Sequence, residues 1–224
     1  MATWADDILC FYKSLSPPSN LPDDITWLLP QKNEEVQFLQ QQYYKKYYNN
    51  NFKRTLILGI NPGRFGAGTT GINFTAPKQL KEFCNISSDF KLTSELSAEF
   101  IYEVIQAYGG MEVFCNDFFI SSVCPLGLVK GGKNLNYYDS TELKKAVEPF
   151  IIKSLKHQLS FNVNRHRCIC IGGEKNYRYL SSLNKQFKFF DYIKPLPHPR
   201  FIMQYKRKQK QEFIGEYLQA LQNK

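Results

Sequence analysis

Asn61 and His198 are two polar side chains of this 224-residue chain whose type and surroundings could support chemistry. Asn61 directly follows an apolar segment, residues 55–60, and precedes a Pro-Gly pair that forces the chain to turn. His198 lies between two prolines, which disfavour a helix and hold the imidazole in a rigid, extended turn. A carboxamide offers a donor and an acceptor, and an imidazole can donate, accept or titrate near neutral pH. Both side chains are therefore candidates for binding a polar ligand.

The loop after Asn61 is rich in glycine, and residues 66–71 satisfy the pattern G-x-G-x-x-G. This is not interpreted as a dinucleotide site, because the pattern starts six residues after the strand and runs into Ile-Asn-Phe-Thr-Ala-Pro instead of opening a helix. A phosphate-binding loop is not indicated either, since the chain has no Gly-Lys-Ser/Thr sequence. The glycines instead predict close approach of the backbone to a flat ligand, with Phe74 as the aromatic element beside Asn61.

A basic segment surrounds His198. Residues 194–210 contain six Lys or Arg residues and no acid, with Phe201, Met203 and Tyr205 between them. Basic side chains neutralise phosphates, and an apolar or aromatic side chain can enter a base stack. The formal net charge of +9 likewise favours nucleic acid as the partner, ahead of an anionic membrane surface. The alternative is that these residues are the solvated start of a C-terminal helix.

The elements that must position these residues alternate along the chain. Strands are predicted over residues 55–60, 118–123, 167–171 and 187–193, and helices over residues 4–15, 34–48, 95–108, 141–159 and 174–183. This alternation predicts an α/β fold, a three-layer α/β/α sandwich with a central, mainly parallel four-stranded sheet, in one domain over residues 1–224. Ligands of such sheets bind beyond the carboxyl ends of the strands, which would bring Asn61 and His198 to the same edge.

Composition excludes several classes of protein. A hydrophobic content of 43% excludes a disordered chain, and the longest apolar runs fall far below the roughly 20 residues that a membrane span needs. The N-terminal segment carries acids where a signal peptide would carry Lys or Arg, which predicts a cytoplasmic protein. Six cysteines are scattered without a C-x2-C pair, so neither a metal site nor a cofactor is indicated.

Four sequence blocks between residues 56 and 208 resemble the uracil-DNA glycosylase superfamily, specifically a bacterial relative of its single-strand-selective monofunctional branch. The first block, Gly59-Ile-Asn-Pro-Gly63 with Phe65-Gly66, Thr70-Gly71 and Phe74, is similar to that branch's G-M-N-P-G-P-F-G and T-G-V-P-F. The second, Cys124-Pro-Leu126 with Gly132-Lys-Asn-Leu135, resembles C-P-L and G-R-N-L. Ile171-Gly172-Gly173 is a weak third block, and His198-Pro-Arg200 resembles H-P-S-P-R shortened by two residues.

The resemblance implies a DNA repair enzyme that flips a base, hydrolyses the N-glycosidic bond of uracil and leaves an abasic site. It implies that Asn61 orients the attacking water, that His198 stabilises the departing uracil anion and that Phe74 stacks on the flipped base. The partner would be DNA, single- or double-stranded, bound by a monomer, and the lack of lysine in the first loop argues against a Schiff-base lyase step. The residues expected beside the base are Gly63, Phe65 and Ser122. Those expected to contact DNA are Arg64, Lys133, Gly173, Lys175, Arg200, Gln204, Tyr205, Lys206 and Lys208.

Two departures from the branch's pattern affect these expectations. Arg64 replaces a proline and adds a charge that could meet a DNA phosphate. Ser122 stands where the branch usually has an asparagine that reads the uracil edge. Because a hydroxyl pairs less selectively than a carboxamide, Ser122 predicts weaker discrimination among deaminated bases and a different preferred lesion, with xanthine and hypoxanthine as candidates.

Three other functions remain open. The Gly-Ile-Asn-Pro-Gly string also resembles the mismatch-specific thymine/uracil branch, but that branch has Asn-Pro-Ser where this chain has His198-Pro-Arg200. A non-catalytic module that binds single-stranded DNA would need neither Asn61 nor His198. An α/β enzyme acting on a free nucleotide would not need the basic segment.

Overall fold

The computed structural model describes residues 2–22 and 24–222, so Met1, Asp23 and the last two residues of the predicted domain lie outside the described residues. The strands are β1 (Ile25–Leu28), β2 (Arg54–Gly59), β3 (Phe118–Ser122), β4 (Gly127–Lys130), β5 (Lys133–Leu135), β6 (Val163–Cys170) and β7 (Tyr192–Pro195). The α-helices are α1 (Trp4–Ser14), α2 (Glu34–Tyr47), α3 (Ala67–Thr70), α4 (Pro77–Cys84), α5 (Leu96–Tyr108), α6 (Met111–Asp117), α7 (Thr141–Gln158), α8 (Gly173–Phe187), α9 (Pro199–Tyr205) and α10 (Lys210–Gln222).

A four-stranded parallel sheet forms the centre of the fold, with strand order β3-β2-β6-β7. Every residue of β2 is buried, as expected for a central parallel strand covered on both faces. Leu56 pairs with Phe119 on one side and with Cys168 on the other. The predicted parallel sheet of four strands is confirmed.

Helices pack on both faces of this sheet. On the face that carries Phe119, the Trp4 ring of α1 contacts the Phe119 ring at a centroid distance of 5.6 Å. Ile57 follows Leu56 and therefore points to the opposite face, where Ile101 of α5 and Tyr217 of α10 lie with it around a small internal space. The three-layer α/β/α arrangement is thus confirmed. No helix among the described residues is both long and apolar enough to cross a bilayer.

Helix α1 shows how local sequence sets the element boundaries. Thr3 accepts the backbone N–H of Asp6, and the Asp6 carboxylate accepts the backbone N–H of Thr3, which together form a capping box. Each of the five predicted helices is present, with its first residue within one position of the prediction. Helix α8 continues to Phe187, four residues beyond the predicted end.

The fourth strand lies later in the chain than predicted. The prediction of residues 187–193 is wrong in its first five positions, because α8 includes Phe187 and the strand β7 begins at Tyr192. The Asn184 side chain donates to the carbonyl of Phe190 and accepts its N–H. These backbone groups are therefore not free to pair with a neighbouring strand. Phe189 and Phe190 are buried core residues of a turn, which explains their apolar character without a strand.

A second, antiparallel sheet with order β1-β4-β5 was not predicted. Its strands are only three or four residues long, and β5 is largely exposed, so hydrophobic alternation gives little signal. Gly131 and Gly132 have positive φ and form the tight turn between β4 and β5. Strands β4 and β5 of this sheet follow β3 directly in the chain, and Gly127 and Asn134 lie against Pro62 and Gly63 of the loop that follows Asn61.

Candidate active site

A cavity of about 560 Å³ opens at the carboxyl ends of β2 and β3. Asn61, Phe74, Ser122 and His198 all line it, although they come from segments far apart in the sequence. The parallel sheet explains this convergence, since the loops after neighbouring strands meet at one edge. The volume falls within the range typical of sites that hold a small molecule or a single base.

The Asn61 carboxamide is held by the backbone that follows β5. Its Nδ2 donates to the carbonyl of Leu135 at 3.0 Å, and its Oδ1 accepts the N–H of Tyr137 at 3.1 Å. A further contact of Nδ2 with the carbonyl of Pro62, at 3.5 Å, is long for a hydrogen bond. Asn61 therefore fixes the position of the antiparallel sheet, a role not predicted from sequence, and retains one lone pair of Oδ1 for a ligand.

The His198 imidazole has a defined tautomer. His198 is extended and is the N-cap of α9, and its Nδ1 accepts the backbone N–H of Arg200 at 3.0 Å. In the neutral ring the proton must then lie on Nε2. Burial, and to a smaller extent the nearby Arg200 charge, lower the pKa of His198 to about 4. At neutral pH, His198 therefore brings an uncharged N–H donor to the cavity.

Phe74 adopts a backbone conformation that is rare for an aromatic residue. Its φ is +52°, in the left-handed region. Its ring packs against Gly59, where an added Cβ would be only 2.8 Å from Phe74 Cε2. The centroids of the Phe74 and His198 rings are 6.2 Å apart. Strain of this kind is found where surrounding structure fixes a residue for function.

The glycines near the cavity make room for other parts of the protein. A Cβ on Gly66 would meet the Glu95 carboxylate at 2.3 Å, and one on Gly68 would meet the Gly63 carbonyl oxygen at 2.7 Å. Gly59, at the end of β2, is likewise packed against Phe74. At these three positions the glycine is required by close contact within the protein itself, and close approach to a ligand stays a prediction. They allow the loop to fold tightly on itself, including the short helix α3.

Ser122 forms a buried pair with a residue that sequence reasoning missed. Its Oγ donates to Oδ1 of Asn73 at 2.8 Å, and Nδ2 of Asn73 donates to the Tyr12 hydroxyl at 2.8 Å. Asn73 also lines the cavity. One signal was available in the sequence, because Asn73 stands where the T-G-V-P-F pattern has proline.

Glu95 is a second residue that was missed. It precedes α5 and lines the cavity next to Gly63 and Gly66. Burial raises the pKa of its carboxyl group, and the Arg200 charge partly opposes this. Among the described residues, no hydrogen bond or ion pair engages the Glu95 side chain, whereas its backbone carbonyl accepts the N–H of Glu99. From the sequence, Glu95 could be recognised only as a residue at the start of a helix, which gives no indication of a site.

The mouth of the cavity is basic and aromatic. The Arg64 guanidinium lies over the Phe65 ring at 4.8 Å, and the Phe201 and Tyr205 rings of α9 are 5.7 Å apart. Tyr205 is 72% exposed and Phe201, which was not predicted as a site residue, is 44% exposed, so both can meet a large partner. The other predicted residues that line the cavity are Gly63, Lys133, Arg200 and Gln204.

Four predicted DNA contacts lie outside the cavity lining. Lys206 and Lys208 are exposed and follow α9 directly, so they continue the basic edge beyond Tyr205. Gly173, with φ +72°, and the exposed Lys175 are in the first turn of α8. Within residues 2–22 and 24–222, no cluster of three or more His, Cys, Asp or Glu side chains could hold a metal ion.

Comparison with known proteins places these features in context. A family model described as the uracil DNA glycosylase superfamily matches residues 45–222. The crystal structure of wild-type Pedobacter heparinus SMUG2 is similar, with a TM-score of 0.95 and 48% sequence identity over 98% of this chain and 97% of that chain. A search of curated proteins returned no match.

Proposed function

The chain belongs to the uracil DNA glycosylase superfamily, and on that premise we propose that it hydrolyses the N-glycosidic bond of uracil in DNA and leaves an abasic site. The likeness to Pedobacter heparinus SMUG2 over almost the whole of both chains supports this proposal. We further propose that the enzyme is monofunctional, monomeric and cytoplasmic.

The observation that carries the proposal is the convergence of Asn61, Phe74 and His198 on one cavity of about 560 Å³. A base within a duplex cannot reach such a cavity, so the nucleotide must be extruded at a cost of a few kcal/mol of unstacking. The Phe74 ring offers a face for stacking on the extruded base. Its fixed backbone and its contact with Gly59 hold that ring in place before DNA binds.

His198 would act on the leaving group. As the C1′–N1 bond breaks, its electron pair leaves with the pyrimidine, and positive charge develops on the sugar. The Nε2–H of neutral His198 can donate to the O2 atom that gains negative charge. Loss of one such donor costs about 10²–10³ in rate in comparable sites. Because the ring is neutral, donation does not require that its proton be transferred.

Asn61 would act on the nucleophile. Water forms the new bond to C1′ and releases a proton, while the uracil anion is later protonated. A carboxamide is not a strong base, which fits a dissociative reaction in which water needs orientation more than deprotonation. The Oδ1 lone pair left free by Tyr137 can accept one hydrogen of that water. The bonds to Leu135 and Tyr137 would keep this acceptor fixed.

The basic mouth would bind the DNA strand. Arg64, Arg200, Lys206 and Lys208 would contact phosphates, and the exposed aromatic pair of Phe201 and Tyr205 is placed to fill the space left by the extruded base. Glu95 is the exception, because its carboxylate would repel a phosphate passing the mouth.

The test is incubation of the protein with labelled oligonucleotides that carry one uracil, single- and double-stranded, followed by alkali to cut abasic sites. Cleavage at the uracil position is expected, and no cleavage in either form would disprove the proposal. Asn61→Ala and His198→Ala should each reduce the single-turnover rate by at least about 10²-fold. If the protein released xanthine or hypoxanthine but not uracil, the assignment as a glycosylase would stand and the proposed substrate would be wrong.

Monofunctional action has a separate test. Lys133 lines the cavity and is exposed on β5, whereas residues 62–71 of the loop after Asn61 contain no lysine. Borohydride added during turnover should therefore trap no covalent complex with DNA. A trapped complex that disappears in Lys133→Ala would show a lyase step through that lysine.

A further inference from the structure

Asn73 places a buried carboxamide in the wall of the candidate base pocket. It is 7% exposed, lines the cavity, and directly precedes Phe74, whose ring would stack on the base. Ser122, the residue expected to contact the base edge, is 2% exposed and lines the same cavity. The two side chains are joined by a hydrogen bond of 2.8 Å.

The hydrogen-bonding capacity of this pair is partly used. An asparagine side chain has two N–H donors and two acceptor lone pairs. In Asn73, one N–H is donated to the Tyr12 hydroxyl and one lone pair accepts the Ser122 hydroxyl. One donor and one acceptor remain on the carboxamide. Ser122, in contrast, has directed its single proton at Asn73 and has only acceptor capacity left.

We propose that Asn73 reads the edge of the extruded pyrimidine, and this inference rests on the proposed function. The free N–H of Asn73 donates to O4 of uracil, and its free lone pair accepts N3–H. Cytosine presents an amino group in place of O4 and an unprotonated N3. Its amino donor would then face the N–H donor of Asn73, and its N3 acceptor would face the Asn73 oxygen, so neither hydrogen bond could form. Ser122 alone would discriminate weakly between the two bases. Asn73, in the loop after α3, supplies the discrimination of uracil from cytosine.

Two supports hold the plane of this carboxamide. Tyr12 of α1 is 4% exposed and Ser122 ends β3, so both partners belong to buried, regular elements. The position of the Asn73 backbone is fixed further by Thr75, whose hydroxyl donates to the Asn73 carbonyl at 3.1 Å. A side chain with both ends held has little rotamer freedom to lose when a base binds.

The test measures base discrimination separately from chemistry. Oligonucleotides that carry 2′-fluorinated deoxyuridine or 2′-fluorinated deoxycytidine resist hydrolysis, so their dissociation constants report recognition alone. The wild-type protein should bind the uracil oligonucleotide at least about tenfold more tightly than the cytosine one, on the basis of two net hydrogen bonds of about 1 kcal/mol each. Asn73→Asp, which replaces the N–H donor by an acceptor of the same shape, should remove or reverse this preference.

Two further measurements keep the result interpretable. The affinity of Asn73→Asp for an oligonucleotide with an abasic site measures any general loss of DNA binding that the added carboxylate causes, because no base is present to be read, and the uracil and cytosine affinities are compared relative to it. In wild-type protein, the Nδ2 proton signals of Asn73 in NMR spectra should shift with the uracil oligonucleotide and not with the abasic one. This measurement applies even if the variant does not fold.

The inference is overturned if Asn73→Asp retains the wild-type preference, or if the Asn73 signals do not respond to uracil. It is also overturned if Ser122→Ala loses the preference while Asn73→Asp keeps it, since Ser122 would then be the reader. A protein that discriminates uracil through Asn73 but never excises it would retain this inference and refute the proposed function.

Discussion

At the scale of single residues, the backbone N–H of Arg200 determines which nitrogen of His198 carries the proton. This bond is formed only when Nδ1 is unprotonated, and burial also favours the neutral ring. The same imidazole in an unfolded chain would have a pKa of 6.5. The folded protein therefore gains stability from neutral His198 above pH 6.5 and loses this contribution as the pH falls towards 4.

We expect the His198 Cε1–H signal in an NMR titration to show a pKa well below 6.5, near the value of about 4 given by burial and the Arg200 charge. The variant His198→Ala identifies the signal. A His198 signal that titrates at 6.5 would contradict both the tautomer and the role of a neutral donor.

Glu95 gives the opposite sign of dependence on pH. Its raised pKa means that the folded protein disfavours the carboxylate, so the destabilisation is present above that pKa and disappears as the pH falls below 4.5. Glu95→Gln should therefore raise the melting temperature more at pH 7 than at pH 4, and should tighten binding to DNA at pH 7. The exposed Glu82 on α4 provides the control variant Glu82→Gln. Equal gains at both pH values would contradict this assignment.

At the scale of elements, Arg54 joins several parts of the fold from the first position of β2. It is 0% exposed, and its guanidinium lies 5.1 Å from the Trp4 ring and 5.0 Å from the Tyr48 ring. It donates to the carbonyls of Cys115 and Phe52. Arg54 thus connects β2 to α1, to the end of α2 and to α6, and is not available to DNA.

Arg54→Ala should lower the free energy of unfolding by at least about 3 kcal/mol, because it leaves buried acceptors without a donor and empties space between two rings. Urea denaturation measures this loss. The matched control is Arg178→Ala, which removes an exposed ion pair with Glu174 and should cost less than about 1 kcal/mol. Similar losses of unfolding free energy in the two variants would show that the buried contacts of Arg54 do not stabilise the fold more than an exposed ion pair does.

Sequence patterns predicted the elements with the strongest local signals. The apolar strands β2 and β3 and the helices α1, α2, α5, α7 and α8 were found from periodicity and from the residues that end them. The strand β7 was misplaced, because a buried turn at Phe189 and Phe190 has the same composition as a strand. The sheet of β1, β4 and β5 was missed, because its short strands depend on pairing with distant segments rather than on their own pattern.

The same distinction applies to the site. Asn61 and His198 could be found because each follows a strand in a distinctive local sequence. Asn73 could not be assigned a role, since its partners Tyr12 and Ser122 are 61 and 49 positions away in the chain. The structural role of Asn61 likewise depends on Leu135 and Tyr137, 74 and 76 positions away.

At the scale of the whole molecule, the net charge of +9 should act mainly through the basic edge that begins at the cavity. Lys206 and Lys208 are exposed and follow the aromatic pair of α9. If each contacts a phosphate, Lys206→Ala and Lys208→Ala should each lower the slope of log K against log salt by about 1.

Fluorescence anisotropy with a labelled oligonucleotide, at several salt concentrations, provides this slope. Lys153→Ala on α7 is the control, since Lys153 is exposed but does not line the cavity. An unchanged slope in the Lys206 and Lys208 variants would show that these lysines do not contact phosphates and would favour the alternative, a solvated start of the C-terminal helix.

The hydrogen bond from Asn73 to Tyr12 ties the cavity wall to a helix outside the residues that the family model matches. That match begins at residue 45, whereas Tyr12 belongs to α1, and its hydroxyl accepts a hydrogen bond from Asn73, which lines the cavity. Trp4, Ile8 and Phe11 of the same helix are each 0% exposed. A fragment trimmed to residues 45–222 would therefore lose both part of the core and one support of the pocket. The bounds of the family model are thus not the bounds of a unit that can fold and hold its pocket.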